Sequence, residues 1–259
     1  MSRLRLDQAL VERGLVSTRS QAESYIKLGQ VTVNGRTVLK PNHQVSSADE
    51  LICQTSEQFV SRAGLKLASV AQKLGLDFRG KVVLDVGSST GGFTDYALKH
   101  GAAKVIAVDV GTDQMHSRLR NDPRLELHEQ TDIREVRSQR SDLRTGQISI
   151  PVPDMVVADV SFISLREILP SVSKLSTPQT QIVAMVKPQF EVYTETSRGV
   201  APTGHKHKGV IKNDHIRRDI LKSFEVWAFQ YFVILAKADS EVAGEKGNLE
   251  RFYLLRKAR

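Results

Sequence analysis

The sequence predicts an α/β fold in which helices cover both faces of a mostly parallel sheet with an antiparallel last strand, and a small α+β module precedes this sheet. From Lys81 onward, short apolar segments alternate with helical patterns, which is typical of a doubly wound sheet. Residues 3–53 form a compact pattern of their own, and residues 54–61 are polar and unpatterned, as in a linker. We therefore expect two domains, residues 1–60 with the linker and residues 61–259.

The small module is predicted from helix and hairpin signals. Residues 6–10 carry apolar side chains at helical spacing, and Thr18-Arg19-Ser20-Gln21 has the pattern of a capping box before a second helix. Asn34-Gly35 between two alternating apolar segments is a strong signal for a tight hairpin. We expect strands at Val31–Val33, Thr37–Leu39 and Glu50–Ile52.

The larger domain is predicted as strands and helices in alternation, from short apolar segments and amphipathic patterns. Strands are expected at Val82–Val86, Val105–Asp109, Leu125–Leu127, Met155–Asp159, Ile182–Lys187, Phe229–Leu235 and, antiparallel to its neighbour, Glu250–Leu255. Helices are expected at Ala63–Leu74, Gly92–His100, Gln114–Asn121, Leu165–Lys174 and His215–Phe224.

The composition is that of a globular protein with a polyanionic partner. The formal net charge is +8, and a basic balance of this size favours a partner such as a nucleic acid. The single cysteine, Cys53, excludes an intrachain disulfide. No apolar segment reaches the ~18 residues that span a bilayer, and the first residues lack the apolar core of a signal peptide. We therefore expect a cytoplasmic protein.

The clearest chemical motif is the glycine-containing turn Asp85–Phe93, which follows an apolar strand and opens a helix. Small residues let a ligand approach the backbone, and the start of a helix offers free N–H donors. Asp109 closes the next strand, where a carboxylate can accept hydrogen bonds from both hydroxyls of a ribose. Asp132 follows the third strand, where the edge of an adenine would lie. This layout predicts an adenosine-containing cofactor.

Two details favour S-adenosyl-L-methionine over a dinucleotide. The glycine spacing is not G-x-G-x-x-G, and Asp85 stands before the first glycine. A carboxylate there would repel a pyrophosphate but attract the cationic amine of methionine. We expect S-adenosyl-L-methionine to be bound by Asp85, Gly87, Ser88, Gly91, Gly92, Phe93, Asp109, Asp132 and Asp159.

The residues at the strand ends limit which chemical group can be the methyl acceptor. Asp159 and Lys187 close two later strands, where both would point into the crevice of the sheet. Methylation of an exocyclic amine commonly uses an Asn/Asp-Pro-Pro-aromatic turn, but the turn here is Asp159-Val160-Ser161-Phe162. Methylation of a pyrimidine carbon needs a cysteine, and Cys53 lies ahead of the cofactor domain. A ribose hydroxyl needs only alignment and help in losing its proton, which a lysine can give.

Through these strand-end residues, positions 62–259 resemble the FtsJ (RrmJ-like) family of ribose 2′-O-methyltransferases. The resemblance implies a Rossmann-like methyltransferase fold. That family carries a Lys-Asp-Lys-Glu tetrad. The resemblance places the catalytic residues at Lys66, Asp159, Lys187 and Glu250. Glu241 and Glu245 are alternatives for the last position, and we prefer Glu250 because it stands at the start of the predicted strand.

The first module resembles the alpha-L RNA-binding motif, named for the fourth ribosomal protein of the small subunit, through strings such as Thr18–Ala22 and Gly29–Gly35. The resemblance implies RNA contacts from Arg5, Arg19, Ser20, Lys27, Asn34, Arg36 and Lys40. We expect further RNA contacts from Arg62 at the domain junction and from Arg198, Lys206 and Lys208 in the basic connection that precedes the last helix. Two histidines in that connection lack further ligands, so no metal is expected.

The order of the modules, with the junction Ser61–Leu67 between them, resembles the TlyA (haemolysin A) family over nearly the whole chain. That resemblance implies cytidine 2′-O-methylation of ribosomal RNA, with ribosomal RNA or ribosomal subunits as partners and no membrane. Two other readings compete with it. One is a non-catalytic RNA-binding protein that keeps a methyltransferase-like fold, and the other is a membrane-active haemolysin.

Overall fold

The computed structural model describes residues 3–16, 18–54, 59–138, 148–197, 210–211, 213–244 and 247–258. The first module holds two helices and two small sheets. Its elements are β1 (Leu4–Arg5), α1 (Leu6–Glu12), α2 (Arg19–Lys27), β2 (Val31–Val33), β3 (Arg36–Thr37), β4 (Gln44–Val45) and β5 (Leu51–Cys53). Strand β1 pairs with β4, and β2 lies between β3 and β5.

Local signals place the elements of this module as the sequence predicts. The Thr18 hydroxyl accepts a hydrogen bond from Gln21 N at 3.2 Å and caps α2. Asn34 and Gly35 have φ values of +50° and +76°, so the hairpin between β2 and β3 closes through two left-handed residues, as a tight turn of this kind requires. Strand β3 ends at Thr37 and not at Leu39, whose side chain is exposed.

The larger domain alternates strands and helices. Its elements are α3 (Arg62–Ala71), β6 (Val82–Val86), α4 (Gly92–Lys99), β7 (Lys104–Val108), α5 (Ser117–Arg120), β8 (Leu125–His128), β9 (Arg137–Ser138), β10 (Ser149–Ile150), β11 (Met155–Ala158), α6 (Leu165–Leu175), β12 (Gln181–Val186), α7 (Pro188–Ser197), α8 (Asp214–Ala228), β13 (Phe232–Asp239) and β14 (Arg251–Lys257).

Seven strands form the central sheet in the order β13-β14-β12-β11-β6-β7-β8. Strands β12, β11, β6, β7 and β8 are parallel, and β14 runs antiparallel to both of its neighbours. The order reverses at β6, with β7 on one side and β11 on the other. Because ligands of open α/β sheets bind where the strand order reverses, the carboxyl ends of β6, β7 and β11 are the expected site.

The central strands β6, β7, β11 and β12 are buried on both faces, so alternate side chains belong to two separate cores. Val83 and Val157 belong to the core that also contains α3, α4 and the first module, whereas Leu84 and Val156 belong to the core beneath α6 and α8. Parallel sheets need this cover on both faces, which explains the nearly continuous apolar runs in the sequence.

Two predicted boundaries are wrong. The helix expected at Gln114–Asn121 is reduced to α5, because Asp113 has a left-handed φ of +55° and the His116 side chain caps Arg118 N. Helix α8 continues to Ala228, beyond the end expected at Phe224, and Phe229 forms its C-cap. The strand expected from Phe229 therefore begins only at Phe232. The apolar side chains there cannot distinguish the end of a buried helix from the start of a buried strand.

The predicted linker is also wrong at its last residues. Phe59 is buried, its ring centroid lies 5.5 Å from that of Tyr96 in α4, and its carbonyl oxygen accepts a hydrogen bond from Gln21 Nε2 in α2 at 2.5 Å. Val60 N donates to Asp95 Oδ2 at 2.8 Å. The segment therefore joins the first module to the helix that begins at the glycine turn, and both modules share one hydrophobic core.

Candidate active site

A cavity of about 560 Å³ opens at the carboxyl ends of β6, β7 and β11. Four of the predicted cofactor contacts, Gly87, Asp109, Asp132 and Asp159, line it. The other lining residues are Val86, Ser89, Val108, Val110, Gly111, Gln114, Thr131, Ile133, Arg134, Val160, Ser161, Phe162, Ile163 and Ile168. Its size and position suit a nucleoside-sized ligand.

Asp85 is a buried carboxyl group beneath this cavity. Its Oδ2 accepts a hydrogen bond from the Thr94 hydroxyl at 2.6 Å, and its Oδ1 has no hydrogen-bond partner among the described residues. Burial raises the pKa of Asp85 to about 7, the hydrogen bond from Thr94 opposes the rise, and the nearby Asp159 adds to it. A positive charge next to Oδ1 would offset the burial of the charged form, so the site fits a cationic cofactor.

The glycine turn is shaped first by contacts inside the protein. Gly87 has φ +81°, and a Cβ atom there would lie 2.8 Å from the carbonyl oxygen of Asp159, so the turn after β6 touches the end of β11. A Cβ atom on Gly91 would collide with Met115, and one on Gly92 would collide with Ser61. Gly91 and Gly92 therefore allow the turn to pack closely against Met115 and against the start of α3 at Ser61.

Two further predicted cofactor contacts in this turn lie away from the cavity lining. Phe93 is buried in the core, where its ring centroid lies 6.0 Å from that of Phe252. Ser88 is buried, and its hydroxyl has no hydrogen-bond partner within the described part of the chain.

The carboxylates of Asp109 and Asp132, at the same edge of the sheet, already accept hydrogen bonds from the protein. Asp109 accepts from Ser89 N and Gly111 N, both at 2.7 Å, so its carboxylate is fixed at the cavity wall and its remaining lone pairs face outward. Asp132 pairs with Arg134, whose Nη2 lies 2.6 Å from Oδ2, and this contact lowers the pKa of Asp132. Arg134 lines the cavity and was not among the expected site residues.

The four residues of the predicted tetrad form two ion pairs. Lys187 Nζ lies 2.6 Å from Asp159 Oδ1 and also donates to the Ser161 hydroxyl at 2.7 Å. Lys66 Nζ lies 2.6 Å from Glu250 Oε2, and both side chains are almost fully buried. Burial raises the pKa of Glu250, Lys66 opposes the rise, and Asp159 and Lys187 also affect it, so the two pairs are close enough to interact.

The structure describes two of the three candidate glutamates. Glu241 lies on the surface, where Lys73 Nζ is 2.6 Å from its Oε1. Glu245 lies outside the described residues. Glu250 alone of the two described glutamates contacts a tetrad lysine, because it stands where the chain enters β14 beside β12.

Sequence reasoning missed an exposed aromatic at the mouth of the cavity. The Phe162 side chain is 92% exposed, its backbone has a left-handed φ of +66°, and its ring centroid lies 5.3 Å from that of Phe190. Lys187 Nζ lies 5.9 Å from the centroid of the Phe190 ring. The turn Asp159-Val160-Ser161-Phe162 lacks the prolines of an amine methyltransferase but ends in an aromatic residue, and this is the signal in the sequence that points to the ring.

Several residues predicted to bind RNA have structural partners. Arg5 and Arg19 both contact the buried carboxylate of Asp7, at 2.9 and 2.7 Å, and so help to hold the module together. Asn34 donates to Asp49 Oδ1 and accepts from Glu50 N, which fixes the hairpin turn.

The remaining predicted RNA contacts differ in exposure. Lys27, Arg36 and Lys40 are exposed, and Ser20 and Arg62 are partly buried. Lys27 and Arg62 line a small cleft between α2 and the loop that joins β13 to β14. Arg198, Lys206 and Lys208 lie outside the described residues.

No helix within the described residues is long and apolar enough to cross a membrane. No group of three or more histidine, cysteine, aspartate or glutamate side chains in the described ranges is placed to hold a metal ion.

The fold and the paired charges beside the cavity define a methyltransferase. The chain belongs to the FtsJ-like methyltransferase family, whose model matches residues 59–257, and an S4 domain model matches residues 4–51. These matches confirm the resemblance and the fold class predicted from the sequence.

Similar proteins cover nearly the whole chain. The chain is 36% identical to the 16S/23S rRNA (cytidine-2′-O)-methyltransferase TlyA of Mycobacterium tuberculosis, over 98% of this chain and 90% of that protein. It is 35% identical to Hemolysin A of Brachyspira hyodysenteriae, over 95% of this chain and 97% of that protein. A solved structure from Streptococcus thermophilus that carries the hemolysin name superimposes with a TM-score of 0.67 at 34% identity, covering 100% of this chain and 90% of the other.

Proposed function

We propose that this protein transfers a methyl group from S-adenosyl-L-methionine to a ribose 2′-hydroxyl of ribosomal RNA, with cytidine as the nucleoside. The observation that carries the proposal is the meeting of two lysine–carboxylate pairs, Lys187–Asp159 and Lys66–Glu250, beside a nucleoside-sized cavity. Ribosomal RNA and cytidine come from the relatives named as rRNA methyltransferases and from the S4 domain.

The cavity residues suit the proposed cofactor in sign and position. Asp85 would face the amine of the methionine part, Asp109 the ribose hydroxyls, and Asp132 with Arg134 the adenine end. Bound S-adenosyl-L-methionine supplies an electrophilic methyl group on a sulfonium. Asp159 belongs both to the cavity and to the Lys187 pair, so it stands between the cofactor side and the acceptor side.

Lys187 is the residue best placed to act on the ribose hydroxyl. It stands at the carboxyl end of β12, and its Nζ is held by Asp159 and Ser161. As a general base, Lys187 Nζ takes the hydroxyl proton as the oxygen attacks. As an ammonium, it stabilises the negative charge that develops on that oxygen. Lys66 and Glu250 add a second buried pair beside it.

The exposed surfaces suit an extruded nucleotide of a structured RNA. Phe162 offers a free ring face at the mouth of the cavity, and base–aromatic stacking contributes about 1–3 kcal/mol per base. Lys27, Arg36 and Lys40 offer unburied cations on the first module for phosphate contacts.

Methyl transfer to isolated ribosomal subunits tests the proposal. The subunits should come from cells that lack this protein, and the labelled RNA should then be hydrolysed with alkali. A 2′-O-methyl group removes the hydroxyl that attacks the neighbouring phosphate, so we expect the label in alkali-resistant dinucleotides. Label in mononucleotides would instead indicate methylation of a base.

The same preparation also separates the competing readings. Lys187→Ala protein is the control for the chemistry, because it should bind RNA without transferring the label. Leakage of lipid vesicles with no methyl transfer would favour the membrane-active reading, and RNA binding with neither activity would favour the non-catalytic one.

A further inference from the structure

A buried glutamate lies behind the acceptor side of the site and takes no part in the proposed chemistry. Glu191 lies in α7, about one helical turn after Lys187, and is 2% exposed. Its Oε1 accepts a hydrogen bond from Leu165 N at 2.9 Å, and its Oε2 accepts from the Ser164 hydroxyl at 2.7 Å. Both donors belong to the start of α6, so Glu191 satisfies the free end of a helix that is distant in sequence.

This contact joins the two segments that carry the acceptor-side residues. The loop from β11 to α6 begins at Asp159 and ends at Ser164, and the segment after β12 begins at Lys187. Phe190 N donates to the carbonyl oxygen of Lys187 at 2.9 Å, so the backbone of Lys187 forms the first turn of α7. A shift of α7 against α6 would therefore move Lys187 Nζ relative to Asp159.

The same shift would separate the aromatic pair. Phe190 precedes Glu191 directly, and Phe162 lies two residues before Ser164. Their ring contact thus spans the same junction as the Glu191 hydrogen bonds. Glu191 Oε2 also lies 3.4 Å from Arg166 Nε, so the carboxylate makes several buried contacts with the start of α6. The segment of Lys187 and the loop that carries Phe162 are therefore joined at this junction.

We infer that Glu191 is a positioning residue for methyl transfer, which fixes the segment of Lys187 against the loop of Asp159. The inference rests on the proposed function. A carboxylate is an expensive group to bury for packing alone, since a neutral apolar side chain fills the same space without the desolvation. Burial raises the pKa of Glu191, and the bonds from Ser164 and Leu165 oppose the rise.

Kinetics of three variants test this role. Glu191→Ala removes both hydrogen bonds, and a displacement of about 1 Å at a reacting group can cost about 100-fold in rate, so we expect kcat to fall about 10- to 100-fold. The KM for S-adenosyl-L-methionine and its Kd by calorimetry should stay at the wild-type values. Glu191→Gln keeps an acceptor oxygen in the same volume and should restore most of the rate. Glu167→Gln removes an exposed charge from the same helix end and serves as the matched control.

Ser164→Ala removes fewer atoms than Glu191→Ala, and it tests the role of Glu191 if Glu191→Ala does not fold. It removes the bond at 2.7 Å, so kcat should fall while the cofactor Kd is retained. Where both single variants fold, the effects of Ser164→Ala and Glu191→Ala on kcat should not add in the double variant, because both remove the same contact.

Wild-type kcat in Ser164→Ala or Glu191→Ala would overturn the inference, as would a raised cofactor KM with unchanged kcat. Absence of methyl transfer by the wild-type protein would instead overturn the proposed function. The wild-type reaction alone therefore distinguishes this failure from a failure of the Glu191 inference.

Discussion

Asp85 is buried, and burial makes its charged form unfavourable unless a cation lies next to it. Its pKa rises from 3.8 to about 7 in the folded protein. Between these two values the folded protein keeps a proton that the unfolded chain releases, so stability falls as pH rises through this window. Each unit corresponds to about 1.4 kcal/mol, so the charged carboxylate lowers stability by about 4 kcal/mol once the pH exceeds 7.

Asp85→Asn removes this titration while keeping an oxygen that can accept the hydrogen bond from Thr94. We therefore expect the variant, without cofactor, to gain about 3 kcal/mol of stability relative to wild type between pH 5 and pH 8. Urea unfolding of both proteins at the two pH values measures this difference. A relative stability that does not change with pH would refute the raised pKa and the argument built on it.

The same variant should lose affinity for the cofactor. A hydrogen bond to a charged group contributes about 1.5–3 kcal/mol, so S-adenosyl-L-methionine should bind about 10- to 100-fold more weakly to Asp85→Asn. In the wild-type protein the affinity should rise from pH 6 to pH 8, because the ammonium of the cofactor favours the ionised carboxylate. In the variant it should be flat over this range, which calorimetry can check.

Three other sets of substitutions test the acceptor side of the site, the exposed aromatic ring and the first module. Lys187→Ala should lower methyl transfer by about 10²–10⁴-fold while cofactor and RNA still bind; full activity in Lys187→Arg would rule out the general-base role, because arginine cannot give up its proton. Phe162→Ala should lower kcat/KM for RNA about 10- to 100-fold without changing cofactor affinity, and Phe162→Trp should retain the rate; equal loss in both would contradict stacking. The double variant Arg36→Ala/Lys40→Ala should weaken RNA binding and leave kcat at saturating RNA unchanged. The slope of the binding constant against salt concentration, on logarithmic axes, should fall by the amount that corresponds to about two phosphate contacts.

The sequence predicts the parts of the site that follow from sheet topology. Asp159 and Lys187 can be predicted to lie together because the carboxyl ends of parallel strands meet at one edge, and strands as apolar as β11 and β12 are easy to recognise. Glu250 stands at the start of a predicted strand, and the antiparallel pairing of β14 with β12 brings it to this edge.

The remaining features depend on contacts between distant segments. No local sequence pattern predicts that Phe59, which lies in a polar segment, packs against Tyr96. Nor does any local pattern predict that Glu191 accepts a hydrogen bond from the start of α6. The conformation of Phe162 depends on a left-handed backbone that phenylalanine rarely adopts. The apolar pattern of residues 114–121 is helical, but the turn at Asp113 shortens the helix.

The choice of a ribose hydroxyl as methyl acceptor can be tested directly on a short, unmethylated RNA that contains the target cytidine. Its position is first mapped in ribosomal RNA from cells with and without this protein. A matched RNA with 2′-deoxycytidine at that one position keeps the base and the backbone but lacks the acceptor oxygen. We expect the deoxy RNA to compete for binding with unchanged affinity and to receive no methyl group. Methyl transfer to the deoxy RNA at the rate of the ribose-containing RNA would contradict 2′-O-methylation.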